Sequence, residues 1–230
     1  MGKHAQRRII RKLDLELFLN RITSQPAPNA HLEQYTISES VAATILYIAA
    51  YSNNDILGKT VLDLGCGTGR LALGALYLGA KEAVGVDIDS RSINVAAENS
   101  VNVGLDDHVQ WVVGDISAVV GSFDTVLQNP PFGVQTRKAD RKFLVKALEV
   151  GKSVYSLHNH PETDGALIKK LKESGGFVQV QPSPFLEQFV SKYGGAVKAV
   201  YAMSMTIPKL FTFHTKSKYD FVVDLYIIGH

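Results

Sequence analysis

An α/β fold, built on a mostly parallel sheet with helices on both faces, is the class this sequence predicts. Three observations predict it. From residue 60 onward, short apolar runs alternate with segments of helical periodicity. The first apolar run ends in a glycine-rich turn that opens a helix. The composition, 46% apolar and 20% charged over 230 residues, supplies an ordinary globular core and argues against disorder.

The elements follow in order. Residues 5–22 read as a basic amphipathic helix, with Ile10, Leu13, Leu17 and Arg21 on helical spacing and Ile9 beside them. Ser24-Gln25-Pro26-Ala27-Pro28-Asn29 breaks it as a linker. Residues 1–30 are therefore expected to be an N-terminal appendage to a single domain over 31–230. Thr36 and Glu39 have capping-box spacing ahead of an apolar helix over Val41–Tyr51. Strands are expected at Thr60–Leu64, Ala83–Ile88, Val109–Val113, Phe123–Leu127 and Ser153–Leu157. Between them, helices are expected at Leu71–Leu78, Ser90–Val103 and Ala139–Val150. This alternation implies right-handed crossovers, and ligands of such sheets bind at the carboxyl ends of the strands. Further on, Ala166–Glu173 and Phe185–Tyr193 read as helices, and Val197–Ile207 and Phe221–Ile228 as an antiparallel strand pair.

Bulk properties narrow the classes. The net charge is only +2, so the overall balance does not mark a nucleic-acid binder. Lys3, Arg7, Arg8, Arg11 and Lys12 nevertheless crowd one end, and Arg137, Lys138, Arg141 and Lys142 form a second cluster. The single cysteine, Cys66, excludes an internal disulfide and a cysteine-rich zinc site, and is expected to be a small buried filler. No run is long enough to span a membrane and no signal-peptide pattern opens the chain, so a soluble, cytoplasmic location without a metal is expected.

Four motifs fall at the ends of the first four strands. Asp63-Leu64-Gly65-Cys66-Gly67-Thr68-Gly69-Arg70 follows the first. Glycines there permit a tight turn and close backbone approach to a ligand at a helix N-terminus, although a plain strand-to-helix turn has the same look. A dinucleotide fingerprint needs G-x-G-x-x-G, whereas Arg70 stands at the third glycine position. Asp87, in Val86-Asp87-Ile88-Asp89, can accept both hydroxyls of a ribose; the alternative is a turn residue, and Asp89 is expected to cap the next helix with Ser90. Asp115, in Gly114-Asp115-Ile116, follows the third strand, where an Asp is also a common turn or cap residue. Asn129-Pro130-Pro131-Phe132 ends the fourth strand. Two acceptors, the Asn129 side-chain oxygen and the Pro130 carbonyl, could bind both hydrogens of a planar amino group and localise its lone pair. Pro131 stiffens the loop, and Phe132 offers a face for stacking.

In this order the motifs resemble those of class I S-adenosylmethionine-dependent amino-methyltransferases. Leu32-Glu33-Gln34-Tyr35, Asn129–Gly133, Val154–His158, Phe213-His214 and Val223-Asp224-Leu225 narrow the resemblance to the archaeal and eukaryotic family of methyltransferase-like protein five. The resemblance implies a Rossmann-like fold with a mostly parallel seven-stranded sheet and a C-terminal antiparallel strand. It implies S-adenosylmethionine as cofactor and adenosine N6 in small-subunit ribosomal RNA as target, with a small activating partner protein as in the eukaryotic relatives. Gln34 and the backbone of Ile37 would close over the cofactor. Asp63, Gly65, Gly67, Thr68 and Arg70 would form the loop around its methionine end, with Asp87 at the ribose and Asp115 at the adenine. Asn129 to Phe132 would bind the target base. The chain departs from the family pattern at Thr36, in its N-terminal extension and in a longer 159–190 segment, read as an insertion.

Other functions stay open on the residues alone. A glutamine side chain or a DNA adenine poses the same geometric problem, and Phe132 tilts the choice toward a nucleobase. A silent binding module would be expected to lose the glycine loop or Asn129, and both are present. Trp111 is expected in the core, and Tyr155 and His158 in structural hydrogen bonds near the pocket. His214, Lys216 and Lys218 could contact an RNA backbone, or form a solvated loop.

Overall fold

The computed structural model describes residues 9–26, 37–132, 139–161, 165–208 and 218–230. Its centre is one sheet of eight strands in the order β3-β2-β1-β4-β5-β8-β7-β6. The strands are β1 (Thr60–Leu64), β2 (Glu82–Asp87), β3 (Val109–Val113), β4 (Phe123–Gln128), β5 (Gly151–Asn159), β6 (Phe177–Gln179), β7 (Ala196–Pro208) and β8 (Lys218–Gly229). β1 to β5 are mutually parallel, and β8 lies antiparallel between β5 and β7. The expected fold class is the observed one. The eighth strand, β6, comes from the segment read as an insertion and pairs antiparallel with β7. Three residues are too few to carry a periodic signal.

The helices are α1 (Lys12–Leu19), α2 (Glu39–Tyr47), α3 (Arg70–Tyr77), α4 (Ser90–Val103), α5 (Ala139–Val150), α6 (Gly165–Glu173) and α7 (Pro184–Lys192). Strand alternation divides the core. Val61, Leu127, Tyr155, Leu157, Val223, Leu225 and Ile227 face α1, α2 and α3. Leu62, Leu64, Val126, Val154, Tyr226 and Ile228 face α5 and α7. The period of two along each strand sends neighbours to opposite faces, so both faces need a helical cover.

Two local expectations are corrected. The buried stripe of α1 is Leu15, Phe18 and Leu19, continued by Ile22, while Ile9, Leu13 and Leu17 are exposed. The stripe at i, i+3, i+4 and i+7 holds the larger apolar set, including Phe18, whose ring stacks on Tyr77 at 4.1 Å between centroids. α1 thereby joins the same core as α2 and α3. The start of α2 is capped by Ser38, whose hydroxyl accepts from the Val41 N–H, and the helix ends in a π-helical turn over Ile48–Ser52. Thr36, the expected cap, lies outside the described residues. Among the described residues no helix is long and apolar enough to cross a membrane.

Candidate active site

The parallel register brings the expected motifs to one edge. Leu64 is level with Val86 and with Gln128, and Asp87 with Val113. The turns after β1, β2, β3 and β4 therefore open side by side.

The glycine loop is fixed by its neighbours. Gly65, Gly67 and Gly69 have φ of 69°, 53° and 85°, the left-handed region that disfavours side chains. At Gly69 a Cβ would also collide with the indole of Trp111, and at Gly65 it would lie 2.8 Å from the Phe143 ring. At Gly67 a Cβ would meet nothing within 4 Å, so this turn faces open space. Trp111 is thus a wall behind the loop; its indole N–H donates to Ser100 Oγ at 3.2 Å. Cys66 is buried, and burial pushes its thiol well above the ordinary range, so it remains a protonated filler.

Two carboxylates brace the turn. The Gly67 N–H donates to Asp87 Oδ2 at 2.8 Å, and the Asp89 N–H to Asp87 Oδ1 at 2.9 Å. Asp63 is buried and accepts from the Ala72 N–H at 3.0 Å in the first turn of α3. Burial raises its pKa to about 7, against the Ala72 hydrogen bond and with the charge of Asp87 adding to the rise. Asp87 is raised as well, chiefly by burial. Asp89 caps α4 as expected, accepting from the Arg91 N–H. Asp115 caps a short 3₁₀ turn through the Ser117 N–H at 2.8 Å, and its hydrogen bonds with Ser117 hold its pKa low.

Arg70 is buried, with one Nη donating to the Ile37 carbonyl and the other to the Ile22 carbonyl at 3.1 Å. The second Nη lies 3.0 Å from the Glu39 carboxylate. Its Nε is buried with no hydrogen-bond partner among the described residues, which leaves one donor of a charged group uncommitted. Asn99, missed in the sequence, completes this clasp. Its side chain accepts from the Thr23 N–H and donates to the carbonyls of Thr23 and Thr68, each at 3.0 Å. Thr68 is itself buried in the loop. Arg70 and Asn99 therefore bind residues 22–24 and Ile37 to the glycine loop. Gln34 lies outside the described residues.

Asn129, Pro130, Pro131 and Phe132 follow β4 without a break, and the Asn129 side-chain oxygen is shielded from solvent. Phe132 meets Phe221 edge to face at 6.1 Å between centroids. Behind the loop, Gln128 Nε2 donates to Ser156 Oγ, and Ser156 Oγ shares a hydrogen bond with His158 Nε2, each across 2.8 Å. His158 Nδ1 lies 3.9 Å from Asp140 Oδ2. Burial lowers the His158 pKa to about 4, so this ring is neutral. Tyr155 donates to Asp55 Oδ2 at 2.7 Å and is structural, as expected. Phe132, Asp140, Arg141, His158, Ser183 and Phe185 line an open cleft of about 200 Å³ beside the loop. Asp140, Arg141 and Phe185 carry no motif in the sequence; they meet here because α5 and α7 cover the same face. His214, Lys216 and the Lys218 side chain lie outside the described residues.

The family profile for ribosomal protein L11 methyltransferase (PrmA) matches residues 41–130, which span the glycine loop and end inside the Asn129 loop. The zebrafish rRNA N(6)-adenosine-methyltransferase METTL5 is 31% identical over 216 residues, 92% of this chain and 95% of that one. The Drosophila melanogaster protein of the same description, Mettl5, is 36% identical over 168 residues, 70% of this chain and 78% of that one.

The chain belongs to the METTL5 family.

The crystal structure of PH1948 from Pyrococcus horikoshii, proposed to be an RNA methyltransferase, superposes with a TM-score of 0.80 at 34% identity, over 96% of this chain and 98% of that one. As a METTL5-family protein the chain is a class I S-adenosylmethionine-dependent methyltransferase. The residues fit that cofactor: the loop faces open space at Gly67, Asp87 stands at the end of β2, and Arg70 keeps a buried donor beside the loop.

Proposed function

We propose that this METTL5-family protein methylates the N6 amino group of an adenosine in RNA, with small-subunit ribosomal RNA as the substrate. The observation that carries the reading is the placement of Asn129-Pro130-Pro131-Phe132 directly after β4, beside the glycine loop and at the mouth of the Phe132 cleft. The names of the fly and zebrafish relatives support the same target.

S-adenosylmethionine supplies an electrophilic methyl group. The chain's part is to bind, orient and polarise. Asp87 accepts from the ribose hydroxyls while bracing Gly67. Asp115 takes the cofactor adenine, and the turn of Gly65 to Thr68, with Arg70 Nε, holds the amino-acid end. Ile37, held by Arg70, closes the site. The target base stacks on Phe132, and its amino hydrogens donate to Asn129 Oδ1 and the Pro130 carbonyl. That pairing draws the nitrogen toward tetrahedral geometry, and no strong base is required. The neutral His158 braces β5 behind the loop without adding charge. A base within folded RNA must swing out to reach this cleft.

A small partner protein is part of the proposal. β3 is one of the two edge strands of the sheet, β6 being the other, and Val112 and Val113 on β3 are exposed. An uncovered apolar edge strand is a pairing surface. A ribosomal substrate is compatible with the cytoplasmic location expected from the sequence.

The test is transfer of labelled methyl from S-adenosylmethionine to ribosomal RNA from cells lacking the protein, with nucleosides resolved by mass spectrometry. Label in N6-methyladenosine supports the proposal. Label confined to protein, or to DNA offered in parallel, overturns it.

A further inference from the structure

α7 carries two different faces. Leu186 and Val190, at i and i+4, are buried in the core beneath the sheet. Phe185, Phe189 and Tyr193, also spaced by four, form a second row on the outer side. Phe185 and Phe189 lie 6.0 Å apart between centroids, tilted by 34°, and Phe189 and Tyr193 4.9 Å apart, tilted by 44°. Phe185 is 48% exposed and Tyr193 42% exposed, so the ends of the row are not there to fill the core. Cations sit on both ends. The Arg141 guanidinium lies 4.5 Å over the Phe185 ring, and Lys192 Nζ lies 5.8 Å from the Tyr193 ring. The row begins at the cleft, where Phe185 and Arg141 share a wall with Phe132. Arg141 also belongs to the basic run of Arg137, Lys138 and Lys142 in the sequence.

The middle ring, Phe189, is half-buried against the core, so the row is exposed at its two ends. Two exposed rings joined through a third, topped by cations and leading away from a base pocket, match one ligand chemistry. Single-stranded nucleic acid offers flat π faces for the rings and phosphates for the cations. We propose that Phe185, Phe189 and Tyr193, with Arg141 and Lys192, form the track on which the single-stranded RNA flanking the target nucleotide stacks. Phe185 and Arg141 are the subsite for the neighbouring base. This inference rests on the RNA-methyltransferase reading, and it names the surface that such a substrate would occupy.

The track is tested by fluorescence anisotropy with the full chain and a labelled single-stranded RNA of about a dozen nucleotides, a length suited to stacking sites of this kind. Phe185→Leu keeps an apolar side chain and removes the stacking face, and Arg141→Gln removes the cation. Each is expected to weaken RNA binding about tenfold, the range of one lost base–aromatic stack. Phe185→Trp is expected to retain it. S-adenosylmethionine affinity and melting temperature should be unchanged in all three. Equal binding by Phe185→Leu and the unaltered protein overturns the track, as does failure of the unaltered protein to bind the RNA. Methyl transfer by the same preparations separates the two ideas. RNA binding that depends on the ring, with label only in protein, sinks the methylation reading and keeps the track. N6-methyladenosine formation with an unaltered KM in Phe185→Leu does the reverse.

Discussion

The Gly67 N–H reaches Asp87 Oδ2 across 2.8 Å, so the carboxylate at the end of β2 holds the turn that follows β1. One residue thereby shapes the loop and, in the proposed reading, would also accept from the ribose. Asp87→Ala removes both roles. S-adenosylmethionine binding, measured by titration calorimetry, should weaken at least tenfold, since a hydrogen bond to a charged acceptor contributes about 1.5–3 kcal/mol. Unchanged affinity would remove Asp87 from the cofactor site.

Gly69 meets the Trp111 indole at a φ of 85°. Gly69→Ala adds a Cβ into that ring and strains the backbone, and should destabilise the protein by roughly 2–4 kcal/mol in urea unfolding. Adding Trp111→Leu makes room and should recover part of the loss. The remainder measures the cost of the left-handed conformation.

Asn99 joins Thr23 and Thr68 from within α4. Asn99→Ala leaves the buried Thr68 carbonyl and the partly buried Thr23 peptide groups without this partner and should cost about 1–3 kcal/mol in the same assay. Asn99→Asp keeps one acceptor and loses both donors, so it should fall no nearer to the native stability than halfway.

The acid limb of stability has a specific source in His158. Its pKa in the fold is about 4, below the unfolded value of 6.5, because the ring is buried. Between those values the unfolded chain binds the proton and the native one does not. Stability from this group is therefore fully present above about pH 6.5 and falls as the pH drops toward 4, by on the order of 3 kcal/mol. Asp63, raised from 3.8 to about 7, works in the opposite direction: its contribution is present at low pH and is lost as the pH rises through 7. Melting temperatures of His158→Gln across this range should fall less steeply toward acid than those of the unaltered protein. Parallel curves would refute the assignment.

Much of this was legible in the sequence, for identifiable reasons. β1, β3, α4 and α5 have the bounds their apolar patterns indicate, because each pattern is continuous and closed by turn residues. The motifs at the ends of β1, β2, β3 and β4 could be placed together because parallel strands present their carboxyl ends on one side. The misreadings have equally local causes. α1 carries two stripes on helical spacing, one through Leu13 and Leu17 and one through Leu15 and Phe18; only contact with α2 and α3 separates them. Ser38 and Thr36 are both competent caps, and the choice depends on where tertiary packing starts the helix. The chain Gln128–Ser156–His158 and the Arg141–Phe185 pair join elements far apart in sequence, so no spacing could reveal them.

If the loop after β4 enables methyl transfer, Asn129→Ala should separate transfer from cofactor binding. S-adenosylmethionine binding and single-turnover transfer to ribosomal RNA would be measured on one preparation. Cofactor affinity should be unaltered and transfer slowed about 10²–10³-fold, the loss typical of one removed polarising partner. Transfer at the native rate, with label still in N6-methyladenosine, would contradict that role for the loop.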